Sequence, residues 1–401
     1  MKVLLLDVNC KYSSTGKIVY DLYTQLKAEG HEAAVGYGRG PRVKEKNICR
    51  FSPVWEVYLH AFLTRVTGNT GCFSYIGTKR LLGLIKVFRP DVVHLNDMHG
   101  YFVNIIPLME YLKRNQIKTV WTFHCEFMYT GKCGHSYECG KWKKECGNCG
   151  QLKEYPASLF FDKTKKMYRR KKKAFENFNH LTIVTPSDWL ADRVRQSFLK
   201  DKKIVTIHNG INTEIFHKKD ASRLRRKLGL GDEKVVLAAA PDLLSERKGG
   251  KYVLQAARRM REQNVKFILV GITDLSQKFD DNVIPVARIR DQELLAEYYC
   301  LADVFVICSK RETFPTTCIE ALCCGTPVVG FDAGGTTETA PGSMGQFVKY
   351  GEIDKIVRSI KNYLNRDRDA LRNACSAYGK IHYSKEHMYQ EYLNTYLDKG
   401  V

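Results

Sequence analysis

No run of 18 uninterrupted apolar residues occurs in this 401-residue sequence, which removes any candidate transmembrane helix. The N-terminus, M-K-V-L-L-L-D-V, offers one lysine and an apolar run broken by Asp7, with no small-residue cleavage site. That is too little for a signal peptide and is expected to be the first strand of a cytoplasmic protein. Neither a G-x-G-x-x-G turn nor a Walker A loop is present, which argues against a nicotinamide or ATP enzyme. Repeats are absent, and the only biased segment is one basic run. Acidic residues are scarce: 43 Asp and Glu face 64 Lys and Arg, leaving a net charge of +21. Such an excess implies an anionic partner, whether nucleic acid, an anionic membrane surface or a phosphorylated substrate.

What is present begins with size. A chain of this length, 44% hydrophobic, can bury two cores, so two domains are expected. Asp303 to Cys308 (D-V-F-V-I-C) reads as a buried parallel strand. A loop with Glu312 follows, then a helix from Thr317 to Cys324 closed by Gly325, then a strand from Pro327 to Phe331. In open α/β sheets, ligands bind at the carboxyl ends of the strands, and Glu312 falls there. Glu320 lies about one turn into the helix, whose free N–H groups attract anions. Two carboxylates flanking such a terminus suit a ligand with hydroxyls at two points and phosphate between them, as in a nucleotide sugar.

The stretch R-E-T-F-P-T-T-C-I-E, followed by G-T-P-V-V and G-G-x-x-E, resembles the E-x7-E unit of retaining GT-B glycosyltransferases of family 4. Bacterial exopolysaccharide and colanic-acid-type enzymes are the nearest in kind. The resemblance implies two Rossmann-like α/β domains facing each other across a cleft, with a C-terminal helix returning to the first. It places the acceptor-side domain at 1–208, with a Cys-rich loop at 125–151. The donor domain follows at 209–383, and the terminal helix at 384–401. Glu312 would face the donor sugar, Glu320 would bind the ribose hydroxyls, and Phe314, Pro315, Thr316 and Thr317 would line the donor between them. Lys248, in S-E-R-K-G-G, would grip the diphosphate. The arginine usual some six residues earlier is replaced by Asp242, so Arg247 is the stand-in. The first loop, S-S-T-G-K, presents Gly16 to the diphosphate, and His124, at the end of a strand from Lys118 to Phe123, would lie at the reacting centre. The family's usual aspartate beside it is here Cys125. His94 reads as a core histidine; the role of His99 stays open.

Membership would further carry retention of anomeric configuration, a nucleotide-diphosphate sugar donor, and no cofactor for catalysis; no convincing D-x-D metal site is present. The acceptor would be a saccharide or lipid-linked saccharide, in bacterial surface polysaccharide synthesis. No nucleic acid is expected as a partner.

Two further segments stand out. Cys133, Cys139, Cys146 and Cys149, spaced x5, x6 and x2, suit a structural tetrahedral zinc, with His135 able to replace one thiol. A redox pair or free thiols are the alternatives. Lys163 to Lys173 (K-T-K-K-M-Y-R-R-K-K-K), with Phe160, Phe161, Met167 and Tyr168, reads as a basic helix with apolar anchors. It suits peripheral attachment to the inner face of the cell membrane, or else is a solvated helix. Residues 41 to 80 show little regularity. Competing functions are a GT-B sugar-nucleotide epimerase or hydrolase, which needs an acid/base pair not evident here, and a zinc-containing nucleic-acid-binding protein, which leaves Glu312 and Glu320 unexplained.

Overall fold

The computed structural model describes residues 1–398, and the chain divides into two compact units. The first unit contains Met1–His208 together with the chain from Tyr389 on; the second is Asn209–Met388.

In the first unit, β1 (Lys2–Asp7), α1 (Ser13–Ala28), β2 (Glu32–Tyr37) and β3 (Ile48–Arg50) come first. Next are α2 (Val54–Thr67), α3 (Tyr75–Phe88), β4 (Val92–Leu95), α4 (Ile105–Arg114) and β5 (Lys118–Thr122). After the Cys-rich segment the chain continues with α5 (Thr164–Phe175), β6 (Leu181–Thr185), α6 (Asp188–Arg195) and β7 (Lys203–Thr206). The seven strands form one parallel sheet in the order β3-β2-β1-β4-β5-β6-β7. Its central strands are short, almost wholly apolar runs, as a sheet covered on both faces requires. Ser187 caps α6 by accepting from Leu190 N at 3.3 Å. The 41–80 stretch is more regular than its sequence suggests, because α2 lies in it and α3 begins there.

The second unit has α7 (Ser222–Lys227), β8 (Lys234–Ala239), α8 (Gly250–Arg259), β9 (Val265–Val270) and β10 (Val283–Val286). Then come α9 (Gln292–Leu301), β11 (Val304–Ile307), α10 (Thr316–Cys323), β12 (Val328–Asp332) and β13 (Gly345–Lys349). The last helices are α11 (Ile353–Leu364), α12 (Arg368–His382) and α13 (Lys385–Leu397). Six parallel strands run in the order β10-β9-β8-β11-β12-β13. Successive residues feed opposite faces: Leu237 packs with α9, α10 and α12, while Val236 and Ala238 pack with α8 and α11. The architecture is GT-B: two Rossmann-like units with C-terminal helices.

The far end of α13 completes the first unit. Tyr392 and Tyr396 are buried against β4 and β5, where Tyr396 Oη meets His94 Nδ1 at 2.7 Å and Tyr392 Oη meets Thr122 Oγ1 at 2.8 Å. His94 Nε2 pairs with Thr122 Oγ1 at 2.8 Å, so both ring nitrogens are satisfied in the core. Burial, then the charge of His124, push its pKa down to about 3, which keeps it neutral.

Candidate functional site

In each sheet the strand order reverses beside the first strand, between β1 and β4 and between β8 and β11. Ligands of open α/β sheets bind outside the carboxyl ends at such a reversal.

In the second unit the loops after β8 and β11 meet there. Lys310 N donates to Arg247 O at 2.9 Å, holding the basic loop over the end of β11. Gly249 lets it come that close: its φ is +69°, and a Cβ there would stand 2.0 Å from Cys308 O. Glu312 is fixed on the other side, its N–H donating to Ala333 O and its carbonyl accepting from Gly335 N, both at 2.9 Å. Gly334, at φ +96°, passes so near that a Cβ would meet Glu312 O at 2.1 Å. The two loops thus bring Lys248 Nζ to 2.5 Å from Glu312 Oε1, with only 17% and 13% of these side chains exposed. Burial alone would raise the Glu312 carboxyl. The charge and hydrogen bond of Lys248, then the Ser309 hydrogen bond and the Arg247 charge, outweigh it and hold Glu312 below the usual carboxylate range.

The other expected donor residues lie on the same two loops and on α10. Arg247 is exposed beside it, and Asp242 is exposed at the start of the same loop. Pro315 precedes α10, and Thr316 and Thr317 form its first turn, the end at which a helix attracts an anion. Phe314 is buried against Tyr383, with Asn209 Nδ2 donating to its carbonyl at 3.3 Å. Glu320 lies further along α10, and its Oε2 accepts from the buried Tyr299 hydroxyl at 2.9 Å.

In the first unit, Gly16 packs in the first turn of α1, where a Cβ would stand 3.2 Å from the Asn9 carbonyl carbon. His124 Nε2 faces Asn96 Oδ1 at 3.4 Å. Burial, then the charge of His99, push the His124 pKa down to about 4, so the imidazole is neutral at pH 7. At the ends of β1 and β4 stand two carboxyls that sequence reasoning passed over. Asp7, at the end of β1, is fully buried and accepts from Asn9 N, Asp97 N and Thr15 Oγ1 at 2.9, 3.0 and 3.1 Å. Asp97 accepts from His99 Nε2 at 3.0 Å, and Tyr155 Oη lies 3.4 Å from His99 Nδ1. Burial and then the Asp97 charge push Asp7 well above its ordinary value; burial lifts Asp97 to about 7. The pair therefore keeps a proton into the neutral range. A D-x-H following an apolar strand was the available signal.

The zinc expectation is corrected. Among the described residues, no group of three or more His, Cys, Asp and Glu is placed to hold a metal ion. The thiols hydrogen-bond to other groups of the loop: Cys133 Sγ donates to Gln151 Oε1 at 3.7 Å, and Cys146 Sγ accepts from Gly131 N at 3.2 Å. His135 lies instead beside the Tyr137 ring. The loop is stapled by buried charge. Glu126, fully buried, takes Arg193 Nε at 2.6 Å, Ser136 N at 2.6 Å and Tyr129 Oη at 3.0 Å. Lys132 Nζ donates to Glu154 O and Pro156 O at 2.6 and 2.8 Å. Lys171 donates to Phe127 O. With Met167, Tyr168 and Lys171 turned into the core, the exposed face of α5 is charge alone; of the four apolar anchors its sequence suggested, Phe160 and Phe161, just before the helix, stay exposed. Among the described residues no helix is long and apolar enough to cross a membrane.

Comparison with known proteins agrees with this architecture. The family described as Glycosyltransferase Family 4 matches residues 15–215, and that described as Glycosyl transferases group 1 matches residues 220–382. WcaC of Escherichia coli K12, named as a colanic acid biosynthesis glycosyl transferase, is 24% identical over 413 residues, covering 99% of each chain. Among solved structures, sucrose-phosphate synthase from Thermosynechococcus elongatus superposes with a TM-score of 0.71 at 18% identity, over 98% of both chains. HepE from Anabaena, solved with UDP and glucose, gives 0.66 at 16% identity, over 98% of this chain and 99% of its own. At these identities the structural likeness establishes the fold alone.

Proposed function

The chain belongs to glycosyltransferase family 4, and from that premise we propose that it moves a sugar from a nucleotide-diphosphate sugar to an acceptor hydroxyl with retention of configuration. The observation that carries the reading is the Lys248–Glu312 pair, a cation and a carboxylate held together at the mouth of the second unit's sheet. Lys248, Arg247 and the N–H groups opening α8 and α10 serve the departing diphosphate, where charge grows as the glycosidic bond breaks. Glu312 holds the donor sugar by its hydroxyls, and Glu320 takes the ribose hydroxyls. Phe314, Pro315, Thr316 and Thr317 line the donor between them. For the first unit the proposal keeps Gly16, in the first turn of α1, and His124, a neutral imidazole able to hydrogen-bond sugar or phosphate oxygens. No metal enters the proposed reaction. HepE was solved with UDP, which makes a UDP-sugar the first donor to try.

The proposed setting is bacterial surface polysaccharide synthesis, where WcaC supplies the likeness and a lipid-linked saccharide is the acceptor class. Attachment to the inner face of the membrane belongs to the same proposal. A thermal-shift screen of UDP-, GDP-, ADP- and dTDP-sugars identifies the donor. Proton NMR of the product then reads its anomeric configuration. A β-linked product from an α-linked donor would overturn retention, and no shift with any nucleotide sugar would overturn the donor class.

A further inference from the structure

Helix α2 is built inside out. Its inward face carries Glu56, His60 and Thr64, with Val57 the one apolar residue among the four that are buried. Glu56 accepts from Ile76 N and Gly77 N at 2.7 and 2.8 Å, capping α3, and His60 Nδ1 meets Ser74 Oγ at 2.8 Å. The outward face carries Trp55, Tyr58, Leu59 and Phe62, an i, i+3, i+4, i+7 stripe of large apolar side chains. Tyr58 is 71% exposed and Trp55 57%. At the C-terminal end of the helix, Leu159 N donates to Arg65 O at 2.8 Å, and Gly68 lies against Phe161 O. That contact adds Phe160 and Phe161, both exposed, to the same area. Packing inside the unit explains none of these six side chains, and a contiguous apolar patch of this kind marks an interaction surface.

Its surroundings choose the partner. Lys79 and Arg80 are exposed on the first turns of α3, the helix capped by Glu56. Lys163 stands over the Phe161 ring at 5.5 Å. The charged face of α5 begins immediately beyond, with Arg170 reaching Cys72 in the loop between α2 and α3 at 3.4 Å. Trp, Tyr and Phe beside such cations match the interface of an anionic bilayer, the aromatic rings at headgroup depth and the cations on lipid phosphates. A second copy of this chain fits poorly, since a twofold contact would set the cationic rim against itself.

We propose that the outward face of α2, together with Phe160 and Phe161, is the seat of this chain on an anionic lipid bilayer. The proposal rests on the transferase reading only for its purpose, the presentation of a lipid-linked acceptor. From the end of the seat, Arg65 lies over the Tyr101 ring at 5.7 Å, Tyr101 packs on Tyr155, and Tyr155 reaches His99. An acceptor headgroup leaving the bilayer there arrives beside the Asp97–His99 pair. The seat is moved from α5, whose apolar residues are internal, to α2, with α5 supplying charge.

The test is sedimentation of the full chain with vesicles of phosphatidylglycerol in phosphatidylcholine, and with phosphatidylcholine alone. Binding to the anionic vesicles is expected, with Trp55 fluorescence quenched by brominated lipid relative to Trp55→Phe. Trp55→Ser/Phe62→Ser and, separately, Phe160→Ser/Phe161→Ser are expected to weaken partitioning roughly tenfold or more. Both variants should melt as the parent does. Should one fail to fold, the other and the quenching still decide. Unchanged partitioning in a folded variant overturns the seat, as does an unquenched Trp55. A wild-type dimer dissolved by these substitutions, with vesicle binding intact, assigns the face to self-association and also overturns it. A chain that binds no vesicle yet is stabilised by a nucleotide sugar loses the seat and keeps the transferase reading. Vesicle binding without any nucleotide-sugar shift does the reverse.

Discussion

Lys248 and Glu312 hold each other in a spot where an unpaired charge would be costly. Lys248→Ala is expected to lower kcat about a hundredfold with a smaller change in donor affinity, because its charge matters most as the diphosphate departs. Equal losses in binding and rate, from single-turnover kinetics, would assign it to uniform binding instead. Glu320→Ala should weaken donor binding by about 1.5–3 kcal/mol through loss of charge-assisted hydrogen bonds, and isothermal titration reads this directly. A dissociation constant equal to that of the parent removes the ribose role. Asp97 gives a pH signature. Its pKa rises from the ordinary 3.8 to about 7 on folding, so the folded chain binds that proton more tightly. Stability is therefore full below the lower value and falls as pH climbs through the higher one. Asp97→Asn should flatten this part of a denaturation-midpoint curve measured from acid to neutral pH; an unaltered slope would contradict the assignment. The glutamates were legible in the sequence because one strand–loop–helix segment carries both. Asp7 and Asp97 were not, since strand ends 90 residues apart assemble them.

Among the elements, the β/α alternation of both halves could be read from short apolar runs and their turns, and the last helix from its tyrosines. Helix α2 escaped because three of its four buried residues, Glu56, His60 and Thr64, are polar and only Val57 is apolar, against the pattern that marks a core-facing helix. The basic run showed its charge but not its facing: Met167 and Tyr168, spaced to suit a lipid anchor, serve the core. The Cys-rich loop misled for a related reason, as spacing reports chain separation and not where each Sγ points. Its order rests on Glu126 and Lys132. Glu126→Ala strands Arg193, whose side chain is only 17% exposed, and should cost about 3–5 kcal/mol. Cleavage between Gly131 and Gln151 in limited proteolysis should quicken accordingly, while a chelator added to the parent leaves that rate alone. Protection lost on chelation would restore a metal to the loop.

For the molecule as a whole, the division at His208 leaves the first unit discontinuous, since it also takes the chain from Tyr389 on. Ending the chain at Met388 should lower the melting transition of that unit, exposing His94 and Thr122, with the transition of the second unit retained. A single unshifted transition in calorimetry would show that Tyr392 and Tyr396 contribute nothing. The same arrangement sets an order of events during synthesis. His94 meets Tyr396 across 302 residues, so when the amino-terminal half leaves the ribosome its final core partner has not been made. The second unit has no such debt and is complete at Met388. It closes on its own contacts, whereas the first unit waits for Tyr392 and Tyr396 to be made. Until then, the sheet that carries Asp7, Asp97 and His124 is without the tyrosines that fill its core.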